Sequence, residues 1–143
     1  MSDTETAVAT EPCTLFSFLR AARVMSDALD GALNETSLTA ATLDALSELA
    51  DAPEPLAPRE LARRLSCTFA EMAELLDDLD AQGLIERRGT GVGLTSRGLE
   101  IQRSATERVR AAQQEIAAAM ASVDASALER TLAAMRAAAT RAA

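Results

Sequence analysis

The sequence predicts a mainly helical fold of about six helices and one small β-hairpin, and three observations predict it. Among 143 residues there are 6 Gly and 4 Pro, while Ala is abundant, a composition that favours helix. Apolar residues recur three and four apart along most of the chain, the period of helices with one buried face. The exception is Leu84-Ile85-Glu86-Arg87 followed by Gly89-Thr90-Gly91-Val92-Gly93, which reads as a strand and a tight turn, with Leu94 opening a short return strand.

Each element follows from local signals. Residues 1–11 are polar and acidic and read as a disordered tail. After Pro12, the positions Leu15, Phe18/Leu19, Ala22, Met25, Leu29 and Ala32/Leu33 mark an amphipathic helix that stops at Asn34-Glu35-Thr36-Ser37. Thr39 is a good N-cap for a second helix, with Leu38 and Leu43 placed as a hydrophobic staple. Pro53, Pro55 and Pro58 make a stiff connection, and Pro58 can open a third helix through Leu65. A fourth follows at once, capped by Thr68 with Glu71 three residues on, its inner face Met72, Leu75, Leu76 and Leu79. Gly83 suits the left-handed residue that closes it. Thr95 can cap a long fifth helix. Its stripe ends in Ala105, Val109, Ala112, Ile116, Ala119 and Val123, a coiled-coil rhythm that asks for another long helix. Ser126 with Glu129 reads as a capping box for a sixth helix lined by Leu128, Leu132, Met135 and Ala139.

Composition bounds function. With no His and two separated Cys, no metal set forms and no nucleophile–His pair is possible. Gly89-x-Gly91-x-Gly93 belongs to a hairpin, not to a strand-to-helix phosphate loop. No cofactor is expected, and no catalytic motif stands out; an enzyme built here would rely on Asp, Glu, Arg, Cys or Ser. Neither a signal peptide nor a membrane span is legible, so the expected location is the cytoplasm. Cys13, at a helix start, is open to a lowered thiol pKa or to no role at all. Cys67 reads as a core residue.

Third and fourth helices joined by a short turn, then a hairpin, carry a family likeness. The strings are Arg59-Glu60-Leu61-Ala62-Arg63-Arg64-Leu65, then Leu75 to Arg87 (LLDDLDAQGLIER), then Leu94-Thr95-Ser96-Arg97-Gly98. Over about residues 13–141 the chain resembles the MarR family of winged helix-turn-helix transcription regulators. The resemblance implies a homodimer. Residues 12–36 and 96–141 would form the helical dimerisation region through the first, fifth and sixth helices, and 37–95 the winged unit. It also implies duplex DNA as a partner, and a small apolar or aromatic ligand held between dimer and winged regions.

Two departures bear on the DNA contact. The family's reading helix usually begins Ser-Arg-Pro with further cations; here it runs Thr68-Phe69-Ala70-Glu71-Met72-Ala73-Glu74, and Asp78 replaces another frequent Arg. The wing's usual Asp-x-Arg tip shrinks to Gly89-Thr90-Gly91-Val92-Gly93. No cation lies between Arg64 and Arg87, where Glu71, Glu74, Asp77, Asp78 and Asp80 fall on the fourth helix. All 14 cations are Arg against 22 acids, a net charge of −8. Over residues 37–100 six arginines face twelve acids. Phosphate binding needs cations, base reading relies mainly on Arg, Lys, Asn and Gln, and one carboxylate ~4 Å from a phosphate costs roughly 4 kcal/mol before screening. Conventional DNA reading is therefore expected to be weakened or altered.

The remaining DNA-contact candidates are Arg59, Arg63, Arg64, Thr68, Arg87 and Arg88; the same arginines can equally be surface residues paired with Glu60 or Glu86. In the family's arrangement Phe16, Leu19 and Met72 would line a ligand pocket, with Arg20 and Arg23 fixing a ligand carboxylate. Those two arginines can instead pair with Asp27 or Asp30 at the dimer interface. The alternative function is a winged-helix dimer without DNA binding, serving as a small-molecule binder, a cofactor-free enzyme or an acidic docking partner.

Overall fold

The computed structural model describes residues 12–142; the tail read over 1–11 lies outside them. The order is α1 (Pro12–Leu33), α2 (Ala40–Asp51), α3 (Pro58–Leu65), α4 (Phe69–Ala81), β1 (Ile85–Arg88), β2 (Gly91–Leu94), α5 (Ser96–Ala119) and α6 (Ala125–Ala142). Six helices and one antiparallel hairpin are the architecture that the spacing predicts.

Caps set most of the boundaries. The Thr39 hydroxyl accepts from Thr42 N–H at 3.3 Å, and the Thr42 hydroxyl accepts from Thr39 N–H at 2.7 Å. The Asp30 carboxylate takes the next free donor, Ala40 N–H, at 2.5 Å, and so ties α1 to the start of α2. Leu38 and Leu43 are both buried beside this cap, as a staple requires. Thr68 and Glu71 form the reciprocal box at α4. Between α3 and α4 the chain turns on Ser66, a non-glycine residue in the left-handed region at φ 55, a conformation that costs about 1–2 kcal/mol. It is held by Cys67 N–H donating to Ala62 O at 3.1 Å. α6 corrects the sequence reading: Asp124, not Ser126, is the capping acceptor, taking Ser126 N–H at 2.9 Å and Ala127 N–H at 3.2 Å.

The hairpin also differs in detail. Its return strand begins at Gly91 rather than Leu94, in register Ile85↔Leu94, Glu86↔Gly93, Arg87↔Val92 and Arg88↔Gly91. Only Gly89 and Thr90 remain for the turn, and Gly89 takes φ +62, as the first central residue of a II′ turn must. A third short piece joins on the other side: Leu56 and Val92 exchange backbone hydrogen bonds at 3.0 and 2.8 Å. The Pro-rich connection is thus pinned to the wing. Gly91 has to be glycine there, because a β-carbon would meet Pro55 at 2.8 Å.

Leu46, Leu49, Leu61, Leu76, Leu79, Leu84, Ile85 and Val92 form the centre of one core, reached by Leu33 of α1 and by Ala105 and Val109 of α5. Each fully buried Leu or Ile contributes about 1.5–3 kcal/mol. The core ends there. From its start to Met25, α1 presents Leu15, Phe16, Phe18, Leu19, Val24 and Met25 outward. The α5 stripe is buried only at Ala105 and Val109, and Val123 falls beyond the helix, in the turn to α6. α6 rests only lightly on its own chain.

Candidate nucleic-acid interface

The fourth helix buries Met72, Leu76 and Leu79, and that fixes its outward face. Glu71, Glu74, Asp77, Asp78 and Asp80 are all exposed, as is Phe69 at the helix tip, with 51% of its surface accessible. The five acids of the sequence are therefore solvent-facing charges.

The candidate cations around this face are mostly engaged. Glu60 receives Arg63 through two contacts, 2.9 and 2.7 Å, and Arg64 through a third at 2.9 Å. Arg64 also reaches Glu48 of α2 at 3.2 Å. These hydrogen bonds hold the Glu60 carboxyl down at about 2, and both guanidiniums are held above their ordinary range. Arg88 pairs with Glu86 across one residue of β1. Arg59 lies over the Phe69 ring, 5.1 Å from guanidinium carbon to centroid, a stacking contact that contributes about 0.5–1 kcal/mol at an exposed site. The Thr68 hydroxyl donates to Glu71 at 2.8 Å and accepts from Glu71 N–H at 3.2 Å. The cap lowers the Glu71 pKa, chiefly through the Thr68 backbone N–H. Among the described residues, Arg87 alone of the six candidates has no such partner. The two-residue wing tip carries no cation.

The ligand candidates are not brought together. Phe16, Leu19, Arg20 and Arg23 are exposed on α1, whereas Met72 is 0% exposed inside the core. As the inner-face residue of α4, Met72 packs the winged unit and cannot line an open pocket in this chain. A cavity of about 460 Å³ lies elsewhere, between α1, α2 and α5. Leu29, Leu33, Leu43 and Val109 form its apolar wall; Ser26, Asp44, Ser47, Thr106 and Gln113 supply the polar groups. Gln102 donates to both Ser47 and Thr106 at 3.2 Å and fixes their hydroxyls. A second, apolar hollow of about 440 Å³ adjoins it, sharing Leu29 and Gln113 and running to Ile116 and Met120. Sequence reasoning missed both, because three separate helices make the walls.

Cys67 is half-buried, and burial followed by the Glu71 charge pushes its thiol up, so it stays protonated and unreactive. The Cys13 side chain lies outside the described residues. Among the described residues no group of His, Cys, Asp or Glu could hold a metal, and no helix is long and apolar enough to cross a membrane.

Helix, left-handed turn, helix and short hairpin make a winged helix-turn-helix, and the family model for the MarR family matches residues 36–93. Residues 36–93 are thus a winged unit of MarR-family type. Among solved structures it is similar to the Mycobacterium tuberculosis transcriptional regulator MosR, at 27% identity, covering 93% of this chain and 99% of that one with a TM-score of 0.75. MosR has also been solved in complex with DNA, a match at 25% identity over 88% of this chain and 96% of that one, TM-score 0.75. A second M. tuberculosis MarR family protein, solved with DNA, matches at 28% identity over 84% of this chain and 94% of that one, TM-score 0.64. A search of curated proteins gives no match. The chain shares its framework with proteins caught on DNA, yet its own reading face is acidic and its neighbouring arginines are largely paired.

Proposed function

We propose that this chain is a homodimeric, cytoplasmic transcription regulator that binds duplex DNA through α4 and the wing, with weaker base reading than its fold allows, and that answers to a small molecule. The observation that carries the reading is the exposed α3–turn–α4 and hairpin, the framework present in similar chains solved on DNA. Weakening follows from charge. Arg63, Arg64 and Arg88 are held by Glu60, Glu48 and Glu86, so a phosphate must displace a carboxylate at each of them. Exposed ion pairs contribute only about 0–1 kcal/mol, so displacement is feasible. Each one reduces the gain, however, and Glu74 and Asp78 repel the backbone throughout.

The dimer is supported by the outward apolar face of α1 and the thinly packed α6, a surface too apolar to remain in water. The small-molecule reading is supported by the α1–α2–α5 cavity, whose size falls in the range of ligand sites. A titration of duplex DNA from the region upstream of the coding sequence tests the proposal. Binding at about 50 mM salt that fades with a shallow salt slope is expected; no binding at that salt overturns it.

A further inference from the structure

The cavity between α1, α2 and α5 holds a charge asymmetry. Among the described residues, Asp44 is the one ionisable residue in its lining, and no arginine contributes to it. Glu48 stands one helical turn from Asp44 and acts on its charge, while Arg136 of α6 opposes from a distance without an ion pair to Asp44 among the described residues. Asp44 keeps an exposed surface at the cavity wall, and the partial desolvation it undergoes there, ahead of the Glu48 charge, pushes its carboxyl up from its ordinary value.

The start of α2, which would ordinarily welcome an anion at the cavity rim, is already filled. Asp30 takes Ala40 N–H and Thr39 takes Thr42 N–H. Asp44 is thus the carboxylate that the cavity wall offers, since Asp30 is taken by Ala40 N–H and Glu48 by Arg64. Arg20 and Arg23, the residues suited to a ligand carboxylate, are exposed on α1 and are not part of the wall.

We infer that the effector site is selective for an amphiphilic organic cation, a protonated amine on an aromatic or alicyclic body, with Asp44 as its counter-ion and Ser47 and Thr106 as hydrogen-bond partners. The apolar wall of Leu29, Leu33, Leu43 and Val109 takes the body, and the adjoining hollow toward Ile116 and Met120 leaves room for a longer one. This inference rests on the small-molecule part of the proposed function and names its ligand class.

Three isosteric probes test it against the full chain by calorimetry: 1-naphthylmethylamine, 1-naphthylmethanol and 1-naphthoate. The expected order is amine, then alcohol, then acid, with the amine at least about tenfold tighter than the alcohol, the value of one charge-assisted hydrogen bond. Asp44→Asn should remove the preference of the amine over the alcohol, with circular dichroism showing that the variant is folded. Ala41→Trp, at the cavity rim, should weaken all three. Acid binding equal to or tighter than amine binding overturns the cation reading but leaves an effector site standing. An amine preference that survives Asp44→Asn places the counter-ion elsewhere and overturns it too. If none of the three binds, the cavity is not an effector site, and the small-molecule part of the proposed function fails with it.

Discussion

Gly98 lies so close to the backbone of Leu84 that a β-carbon there would stand 1.9 Å from the Leu84 carbonyl oxygen. Thr95 completes the junction, donating its hydroxyl to Gly83 O at 2.7 Å and accepting Gly98 N–H at 3.0 Å. The long helix is thereby fastened to the end of the reading unit. Gly98→Ala must push backbone against backbone and should destabilise the fold by about 3 kcal/mol or more. Thr95→Ala, which loses only the cap, should cost about 1 kcal/mol. Urea unfolding followed by circular dichroism ranks the two; equal losses would mean that the junction is held by the hydroxyl and not by the close approach.

Glu60 controls two arginines. Glu60→Gln should free Arg63 and leave Arg64 held by Glu48 alone, tighten binding to duplex DNA, and steepen the salt dependence by up to about 0.9 for each arginine that gains a phosphate. Fluorescence anisotropy across a salt series reads both quantities. An unchanged slope would show that neither arginine reaches the backbone.

The same residue gives a pH statement. Its folded pKa is lowered to about 2, so whatever stability the pairs supply is present above the ordinary carboxylate range and is lost progressively as pH falls from that range through about 2. Because the pairs lie at the protein surface, that contribution is screened and small. Lowering the pH from 7 to about 5 should therefore not reproduce the DNA affinity of Glu60→Gln, and anisotropy at the two pH values checks this.

Reversing charge on α4 is a separate lever. Glu74→Arg with Asp78→Arg changes two exposed residues away from the buried face, so folding should be spared. Affinity for duplex DNA at low salt should rise by roughly tenfold or more. No gain would mean that α4 does not face the duplex.

The α1 face predicts the assembly. Phe16→Glu with Leu19→Glu places charge on two side chains more than half exposed, at 54% and 53%, which should leave the protomer folded. Light scattering should report a dimer for the parent chain and a monomer for the variant. A parent chain that is monomeric at micromolar concentration counts directly against the dimer.

How much of this was legible depends on distance along the chain. Thr39, Thr68 and Thr95 were readable as caps because their partners lie three residues away. Asp124 was missed because Ser126 offers the same local pattern and the carboxylate is the stronger acceptor. The Leu56–Val92 pairing escaped because it joins a proline-rich connection to a strand far along the chain, and only tertiary packing brings them together. Met72 was correctly placed on the inner face of α4, but which core that face joins is not periodic information. The pattern of α1 says that Phe16 and Leu19 lie on or beside an apolar face, but not which surface covers them. The acids of α4 were plain, and the pairing of arginines with Glu60 was offered by spacing alone; that Glu48 of α2 also holds Arg64 required the third dimension.

The exchange of hydrogen bonds between Leu56 and Val92 bears on how a signal would travel. With its turn reduced to Gly89 and Thr90, and its second strand sewn to the segment before α3, the wing has no hinge of its own. It packs against α2 and α4, so its motion should follow theirs. Any effector acting between α1, α2 and α5 would therefore tilt the whole reading head as one lever, changing the separation of two heads across a dimer rather than the shape of either. Hydrogen exchange offers the signature: the Leu56 and Val92 amides should open together, at one rate, with or without an occupant in the cavity.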